Sequence, residues 1–232
     1  MRANTRHTSS MNIEQNIDHT ILKPTTTISD VGQLCKEALE HQFAAICVPP
    51  YFVAEASKLL AGTSVKVATV IGFPFGYSSI AAKETEVRQA IAQGADELDI
   101  VINLAALKAG DWDYLSSEIT TLLQPIRLHR KIVKVIIESG ILIDNEVIHC
   151  CELYAKHKVD YVKTSTGYAE KGAETATVAL MRKHLPAEIK IKASGGIRTF
   201  AFAKELIDAG AARIGASAGV AIAAEARAHS DK

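Results

Sequence analysis

Charged residues interrupt several apolar runs that otherwise have the composition of buried β-strands. Lys163 lies in Tyr-Val-Lys-Thr-Ser-Thr-Gly, Lys192 in Ile-Lys-Ala-Ser-Gly-Gly, and Lys134 in Val-Lys-Val-Ile-Ile-Glu. Asp99 lies within Glu-Leu-Asp-Ile-Val-Ile. An unpaired ion inside a protein is strongly disfavoured, so such groups pair, lose their charge or face a wet active-site mouth. We therefore expect a functional site where these four side chains meet.

The spacing of Lys163 and Lys192 indicates a specific chemistry. They are one β–α step apart, hence on neighbouring strands separated by roughly 4.8 Å. Repulsion between two ammonium groups, together with burial, lowers the pKa of one lysine. A neutral lysine forms Schiff bases with carbonyl compounds, whereas a lysine with the usual pKa of about 10.4 is protonated and inert. Asp99 would supply a carboxylate for proton transfer.

A structural explanation holds for many strand lysines, because a long side chain can carry its ammonium group to solvent. We assign Lys66 and Lys190, near the starts of their strands, to that class. An aspartate in a strand is likewise often the partner of a nearby base. The three lysines and the aspartate named above lie at corresponding depths of different strands, which favours a shared functional role.

Glycine-rich loops follow the last strands and predict a phosphate site. Ser194-Gly195-Gly196 follows the seventh strand, and the segment 215–219, with Gly215 and Ser217, leads from the eighth strand into the final helix. Glycine lets backbone N–H groups approach an anion, and a helix N-terminus adds positive potential. Thr166-Gly167 could add a contact, and Arg198 either helps or covers the rim.

Short β-branched runs alternate with longer segments of helical period from Ile17 onward. Most of the runs are continuously apolar, as expected for parallel strands that are covered by helices. Eight such units predict an α/β protein, a (β/α)₈ TIM barrel, with an open doubly wound sheet as the alternative. The predicted strands are Ile17–Thr20, Ala44–Val48, Lys66–Ile71, Glu97–Ile102, Val133–Glu138, Tyr161–Thr164, Ile189–Ala193 and Arg213–Gly215.

Capping and breaking residues predict several helix boundaries. Ser29, Asp144 and Thr199 are candidate N-caps, and Gly94 and Gly210 are candidate stops. The Gly94 stop would end a helix that runs from about Ile80 to Gln93. A further periodic segment spans Leu115–Leu128, and Pro125 should kink or split it.

Composition excludes several classes of protein. The 232 residues are 48% hydrophobic, and Lys+Arg and Asp+Glu number 26 each, so no basic excess favours nucleic acid. No apolar run approaches a membrane span. The four cysteines and the histidines lack metal-ligand spacing, and reduced thiols suit a cytoplasmic protein. We expect residues 1–11 to be a flexible extension and residues 12–232 a single catalytic domain.

Eight segments, in order from Ile17 to Ser217, carry a resemblance to a known family. They are I-D-H-T-I-L-K-P (17–24), A-A-I-C-V (44–48), V-I-G-F-P-F-G (70–76), G-A-D-E-L-D-I-V (94–101), K-V-I-I-E (134–138), V-K-T-S-T-G (162–167), K-A-S-G-G-I-R (192–198) and R-I-G-A-S (213–217). Together they resemble the deoxyribose-phosphate aldolase family. The V-K-T-S-T-G and K-A-S-G-G-I-R motifs are the most specific of them.

The resemblance implies a role for each matching residue. Lys163 would be the Schiff-base nucleophile, Lys192 the neighbour that lowers its pKa, and Asp99 the acid/base that orients a water. The residues expected to line the substrate or hold its phosphate are Asp18, Thr20, Cys47, Lys134, Thr166, Gly167, Gly195, Gly196, Gly215 and Ser217. Longer family members carry a C-terminal tyrosine that reaches the site, but the last tyrosine here is Tyr168, so no such assistance is expected.

The resemblance also implies a reaction. The enzyme would be a class I aldolase, a lyase of deoxyribonucleotide catabolism that reversibly cleaves 2-deoxy-D-ribose 5-phosphate to D-glyceraldehyde 3-phosphate and acetaldehyde. No metal or organic cofactor would be needed, because the protonated imine is the electron sink. The alternatives are another class I sugar-phosphate aldolase and a non-catalytic barrel that binds sugar phosphate. Apolar residues on the outer helices are compatible with a homodimer.

Overall fold

The computed structural model describes residues 12–230, and the extension expected over residues 1–11 lies outside the described residues. Its strands are β1 (Ile17–Thr20), β2 (Ala45–Val48), β3 (Lys66–Ile71), β4 (Glu97–Val101), β5 (Ile132–Ile136), β6 (Tyr161–Lys163), β7 (Lys190–Ser194) and β8 (Arg213–Ala216). They form a closed parallel barrel in sequence order, in which β8 pairs with β1. The predicted (β/α)₈ TIM barrel is confirmed, and the open-sheet alternative is wrong. The predicted strand ends differ from the observed ones by at most two residues.

Helices surround the barrel and cover its outer face. They are α1 (Ile28–Glu40), α2 (Val53–Leu59), α3 (Ile80–Ala92), α4 (Leu104–Lys108), α5 (Trp112–Leu128), α6 (Asp144–Lys156), α7 (Thr175–His184), α8 (Phe200–Asp208) and α9 (Gly219–Ser230). Short 3-10 turns lie at Ile13–Asn16, Pro50–Phe52 and Ser139–Ile141. No helix within residues 12–230 is both long and apolar enough to cross a membrane.

Two of the predicted helix starts are wrong. Helix α1 begins after Thr27 rather than Ser29, because Thr27 and Asp30 form a capping box: the Thr27 hydroxyl accepts from the Asp30 N–H (3.3 Å) and the Asp30 carboxylate from the Thr27 N–H (2.8 Å). Asp144 is the first helical residue of α6 and not its cap. Glu146 accepts from the Ile143 N–H (3.0 Å), which fixes the start one residue earlier.

The other helix signals give a mixed outcome. Thr199 caps α8 as predicted, since its hydroxyl accepts from the Phe202 N–H at 3.3 Å. Gly94 and Gly210 follow the ends of α3 and α8 with φ of +100° and +116°, the left-handed backbone typical of a helix stop. Helix α5 is not split at Pro125. Pro125 lies in the last turn of the helix, which ends at Leu128, so the backbone N–H that proline lacks interrupts the helix only near its end.

The barrel interior is divided into a charged part and a small apolar part. Side chains two residues apart on a strand face the same way, so the apolar residues between the charges point outward into the main core under the helices. On β2 and β3 the inward side chains Cys47, Ala68 and Val70 form a separate apolar cluster beside Leu22 and Phe73. The charged side chains therefore gather on the remaining strands.

A buried ion pair links α3 and α5 to the end of β4. The Lys83 ammonium group donates to Glu118 (2.7 Å) and to the Val101 carbonyl (2.7 Å), and Glu118 accepts from the Asn103 N–H (3.1 Å). Burial lowers the pKa of Lys83 and raises the pKa of Glu118, and the attraction between the two groups opposes both changes. The pair thus fixes the loop after β4 at the mouth of the barrel.

Removing one partner of this pair should be costly. We expect Lys83→Met to lower the free energy of unfolding by about 3–5 kcal/mol, because Glu118 would remain buried without its cation. The double variant Lys83→Met/Glu118→Gln removes the lone charge and keeps an acceptor for Asn103, so it should regain part of this loss. Urea denaturation at pH 7 measures both values, and a double variant no more stable than the single one would contradict this explanation.

Candidate active site

A cavity of about 350 Å³ opens at the carboxyl ends of the strands, where β1, β6, β7 and β8 run into their loops. Its lining includes eight of the residues predicted for the site, together with Arg198 and Tyr168. The eight are Thr20, Lys163, Thr166, Gly167, Gly195, Gly196, Gly215 and Ser217. This is the face on which barrels of this fold carry their chemistry. These eight predicted residues thus lie together around one cavity, and their roles stay predictions.

Lys163 is the charged strand residue at the floor of the cavity. It ends β6, and the strand register places it directly opposite Lys192 on β7. Its ammonium nitrogen lies 2.7 Å from an oxygen of Asp99, and the side chain is almost completely buried. The predicted meeting of Lys163, Lys192 and Asp99 is present in the structure.

Asp99 is the carboxylate that these lysines share. One oxygen accepts from Lys134 at 2.8 Å, and the other accepts from both Lys163 and Lys192 at 2.7 Å. The strand register pairs Asp99 on β4 with Lys134 on the adjacent strand β5. Lys163 on β6 and Lys192 on β7 reach Asp99 across the barrel interior, past one and two intervening strands. Only barrel closure brings β4, β6 and β7 to one carboxylate.

A second layer of charges lies below this carboxylate and was not predicted as a group. Asp18 is 2.5 Å from Lys192 and 2.5 Å from Arg213, and Glu97 is 2.5 Å from Lys134 and 3.0 Å from Arg213. Glu97 and Arg213 did not stand out in the sequence because both begin their strands, where charge is common. The usable signal was their position two residues before Asp99 and Gly215, which assigns them to the same inward face.

These contacts join seven ionisable groups, which we call the barrel network: Asp18, Glu97, Asp99, Lys134, Lys163, Lys192 and Arg213. Burial alone would raise the pKa of the Asp99 carboxyl, but Lys134, Lys163 and Lys192 hold it well below its usual range. Asp18 behaves in the same way beside Lys192 and Arg213. Asp18 and Asp99 are therefore ionised.

Lys163 differs from the other cations of the barrel network. Burial lowers its pKa most, the Lys192 charge lowers it further, and Asp99 only partly offsets them. For Lys134 and Lys192 burial also acts downward, but the facing carboxylates prevail and their pKa values are raised. We expected repulsion by Lys192 to be the main cause of the lowered pKa of Lys163, whereas burial is the larger cause. Lys163 is thus the lysine of this group most easily found neutral.

Three of the predicted substrate residues lie beneath the cavity rather than in its wall. Asp18, Lys134 and Cys47 are completely buried within the barrel. Asp18 and Lys134 hold other charges, and burial followed by the Asp99 charge raises the pKa of the Cys47 thiol. Thr20 does line the cavity, and its hydroxyl donates to the Asp18 carbonyl at 2.8 Å. Direct substrate contact by the three buried residues stays a prediction.

Glu138 is a site residue that the sequence argument missed. It follows β5 with left-handed backbone (φ +52°) and accepts hydrogen bonds from the Thr166 hydroxyl and the Thr166 N–H, the latter at 3.2 Å. Burial raises the pKa of Glu138, and these hydrogen bonds with the Lys163 charge oppose the rise. Tyr168 continues the connection, as its N–H donates to Thr166 (3.0 Å) and its hydroxyl to the Leu22 carbonyl (2.8 Å). Glu138 therefore fixes the loop after β6.

The glycine loops meet backbone to backbone. Gly195 has φ of +92° and lies so close to Gly172 that a Cβ on Gly172 would come within 2.2 Å of the Gly195 carbonyl oxygen. The Ala173 N–H donates to that oxygen at 3.0 Å. Gly196 (φ +77°) is exposed at the cavity, and α9 begins two residues after Ser217. Backbone N–H groups and a helix N-terminus thus border a space that suits an anion.

Comparisons with known proteins agree with this geometry. A family model described as DeoC/LacD family aldolase matches residues 13–225. The deoxyribose-phosphate aldolase of Caldicellulosiruptor saccharolyticus is 49% identical over 90% of this chain and 96% of its own. That of Streptococcus suis is 48% identical over 95% of this chain and 100% of its own. The tetrameric deoxyribose phosphate aldolase from Aeropyrum pernix superposes with a TM-score of 0.88 at 30% identity and covers 94% of this chain and 92% of its own. The chain belongs to the DeoC/LacD family of aldolases.

Proposed function

We propose that this protein is a 2-deoxy-D-ribose-5-phosphate aldolase that works through a Schiff base on Lys163. The observation that carries the proposal is a buried lysine of lowered pKa at the floor of a cavity with glycine loops on its rim. The names of relatives up to 49% identical support the substrate. A barrel that only bound sugar phosphate would gain nothing from such a lysine, since a neutral amine contributes little to anion binding.

The reaction begins with covalent attachment of the substrate. The neutral Nζ of Lys163 adds to the C1 aldehyde of 2-deoxyribose 5-phosphate, and the resulting carbinolamine takes up a proton and loses water to give a protonated imine. Removal of the C3 hydroxyl proton then breaks the C2–C3 bond. The bonding electrons pass to the iminium nitrogen, which leaves an enamine on Lys163 and releases D-glyceraldehyde 3-phosphate. Because the iminium accepts the electrons, we propose that no metal or organic cofactor takes part.

The remaining steps return Lys163 to its starting state. Protonation of the enamine at C2 gives the acetaldehyde imine, and water hydrolyses it to acetaldehyde and the free amine. We assign these proton transfers to Asp99 and a water that it orients, because Asp99 lies 2.7 Å from the Lys163 nitrogen. Lys192, held by Asp18 and Asp99, stays charged and keeps the resting Lys163 from gaining a proton.

The substrate phosphate is assigned to the rim of the cavity. Gly195, Gly196, Gly215 and Ser217 would present backbone N–H groups to it, with the N-terminus of α9 adding positive potential. The Thr166 N–H and hydroxyl proton are both directed to Glu138, so we assign Thr166 to shaping the loop. Gly167 is the adjacent phosphate contact. Arg198 is exposed at the rim and free to approach the anion.

Several broader assignments accompany this proposal. A single catalytic domain over residues 12–232 is supported by barrel closure within the described part of the chain. All four cysteines are buried with free thiols, which suits a cytoplasmic location. A homodimer remains a prediction, and the Aeropyrum pernix relative is described as a tetramer. An aldolase with another donor is the alternative within the same mechanism.

The Schiff base is tested by trapping. Incubation with acetaldehyde and cyanoborohydride should leave a two-carbon adduct on Lys163, located by peptide mapping. Lys163→Leu should abolish the adduct and lower kcat/KM for cleavage of 2-deoxyribose 5-phosphate by about 10⁴-fold or more, as when a covalent nucleophile is lost. Lys190→Leu is the matched control, because Lys190 is exposed and begins the neighbouring strand. Cleavage that persists with Lys163 unmodified would exclude the proposed mechanism.

The phosphate assignment is tested at Gly196. An alanine at this left-handed position meets no atom within 4 Å, so Gly196→Ala changes the backbone without a collision. The strain of about 1–2 kcal/mol should displace the N–H groups of the loop and raise KM for the phosphorylated sugar roughly tenfold. Trapping of acetaldehyde on Lys163 should be unchanged. An unchanged KM in this variant would place the phosphate elsewhere.

A further inference from the structure

Arg213 contacts the barrel network from the side opposite to the cavity. It begins β8, its side chain is 11% exposed, and it is absent from the cavity lining. Its guanidinium group binds Asp18 at 2.5 Å through Nε and Nη2, and its Nη2 binds Glu97 at 3.0 Å. Arg213 therefore acts on two carboxylates that are absent from the cavity lining.

The same two carboxylates are the partners of the lysines that compete with Lys163. Asp18 also forms an ion pair with Lys192, and Glu97 forms one with Lys134. Arg213 already neutralises part of the charge of Asp18 and Glu97. Lys192 and Lys134 therefore each form a second ion pair, with Asp99, at 2.7 and 2.8 Å. Asp99 is thereby divided among three ammonium groups. Lys163 receives only a share of one oxygen.

The count of charges leads to the same result. The barrel network has three carboxylates, Asp18, Glu97 and Asp99, and four cations, of which Arg213 cannot lose its proton. The network is neutral only when one lysine is neutral. Without Arg213, three carboxylates would face three lysines, and each lysine could keep its charge. A net charge on a buried cluster is energetically unfavourable. The positive charge of Arg213 therefore disfavours the protonated form of Lys163 even without direct contact.

We propose that Arg213 is a positioning residue that keeps Lys163 neutral by engaging Asp18 and Glu97. The proposal rests on the proposed role of Lys163 as nucleophile. The other titratable groups that face Lys163 or Arg213 are Cys47 on β2, Tyr161 on β6 and Glu138 after β5. Cys47 is a protonated thiol, and Glu138 accepts hydrogen bonds from Thr166, while the Lys163 charge also lowers its pKa. They leave the balance of the seven groups unchanged.

The test is the pH dependence of Schiff-base formation, followed as the rate of cyanoborohydride trapping of acetaldehyde on Lys163 from pH 5 to 10. The rate rises with pH as Lys163 loses its proton. We expect Arg213→Met to move the midpoint of this rise to higher pH by about one unit and to slow trapping roughly tenfold at pH values below the wild-type midpoint, because Lys163 regains a full partner in Asp99. Arg213→Lys keeps the charge and should restore the wild-type midpoint. Arg88→Met, an exposed arginine on α3, is the matched control.

Glu97→Gln gives a prediction of opposite sign from the same contact. It leaves two carboxylates and four cations, and it makes Lys134 depend more on Asp99, so the midpoint should move to lower pH. This variant decides the question if Arg213→Met does not fold by circular dichroism. A folded Arg213→Met with the wild-type midpoint, or a Glu97→Gln midpoint that is unchanged or higher, would overturn the inference. Absence of trapping on Lys163 in the wild-type protein at every pH would instead overturn the proposed function.

Discussion

One carboxylate shared by the amino groups of three lysines is the interaction on which the site depends. Asp99 accepts hydrogen bonds from Lys134, Lys163 and Lys192 within 2.8 Å, in a space closed to solvent. Its two oxygens cannot fully neutralise three cations. Lys192 and Lys134 have additional ion pairs with Asp18 and Glu97. Lys163 is therefore the lysine whose positive charge is least compensated. Lys163 is also the lysine of the three that lines the cavity.

The barrel converts this local competition into a defined geometry. Strand register places Lys163 beside Lys192 and Asp99 beside Lys134, and closure of the ring brings both pairs together. The small apolar cluster occupies the interior beside β2 and β3, so the barrel network is formed by residues of the other strands. Above the network, glycine loops and Glu138 shape the rim. The charged network and the glycine-lined rim therefore belong to different layers of the same barrel.

Much of this was accessible from sequence, and the failures have a common physical origin. The strand lysines and Asp99 stood out because charge inside an apolar strand is costly wherever it points. Glu97 and Arg213 did not, because they begin their strands. Lys66 and Lys190 occupy the same kind of position and are exposed, so only the register of the closed barrel separates the two outcomes. Glu138 depends on a left-handed backbone that no local motif announced. Non-local geometry, not residue chemistry, set the limit.

The most direct test of the site is whether Lys163 loses its proton more easily than its two neighbours, whose pKa values are raised. Protein labelled with ¹³C at lysine Cε reports this directly by NMR, since that carbon shifts when the ammonium group loses its proton, and Lys163→Met assigns the signal. We expect the Lys163 signal to change to the shift of a free amine at a lower pH than that of an ordinary lysine, and Lys134 and Lys192 to remain in the ammonium range to the highest pH at which the protein is folded. A Lys163 signal that stays in the ammonium range up to about pH 10, as for an ordinary lysine, would contradict this expectation.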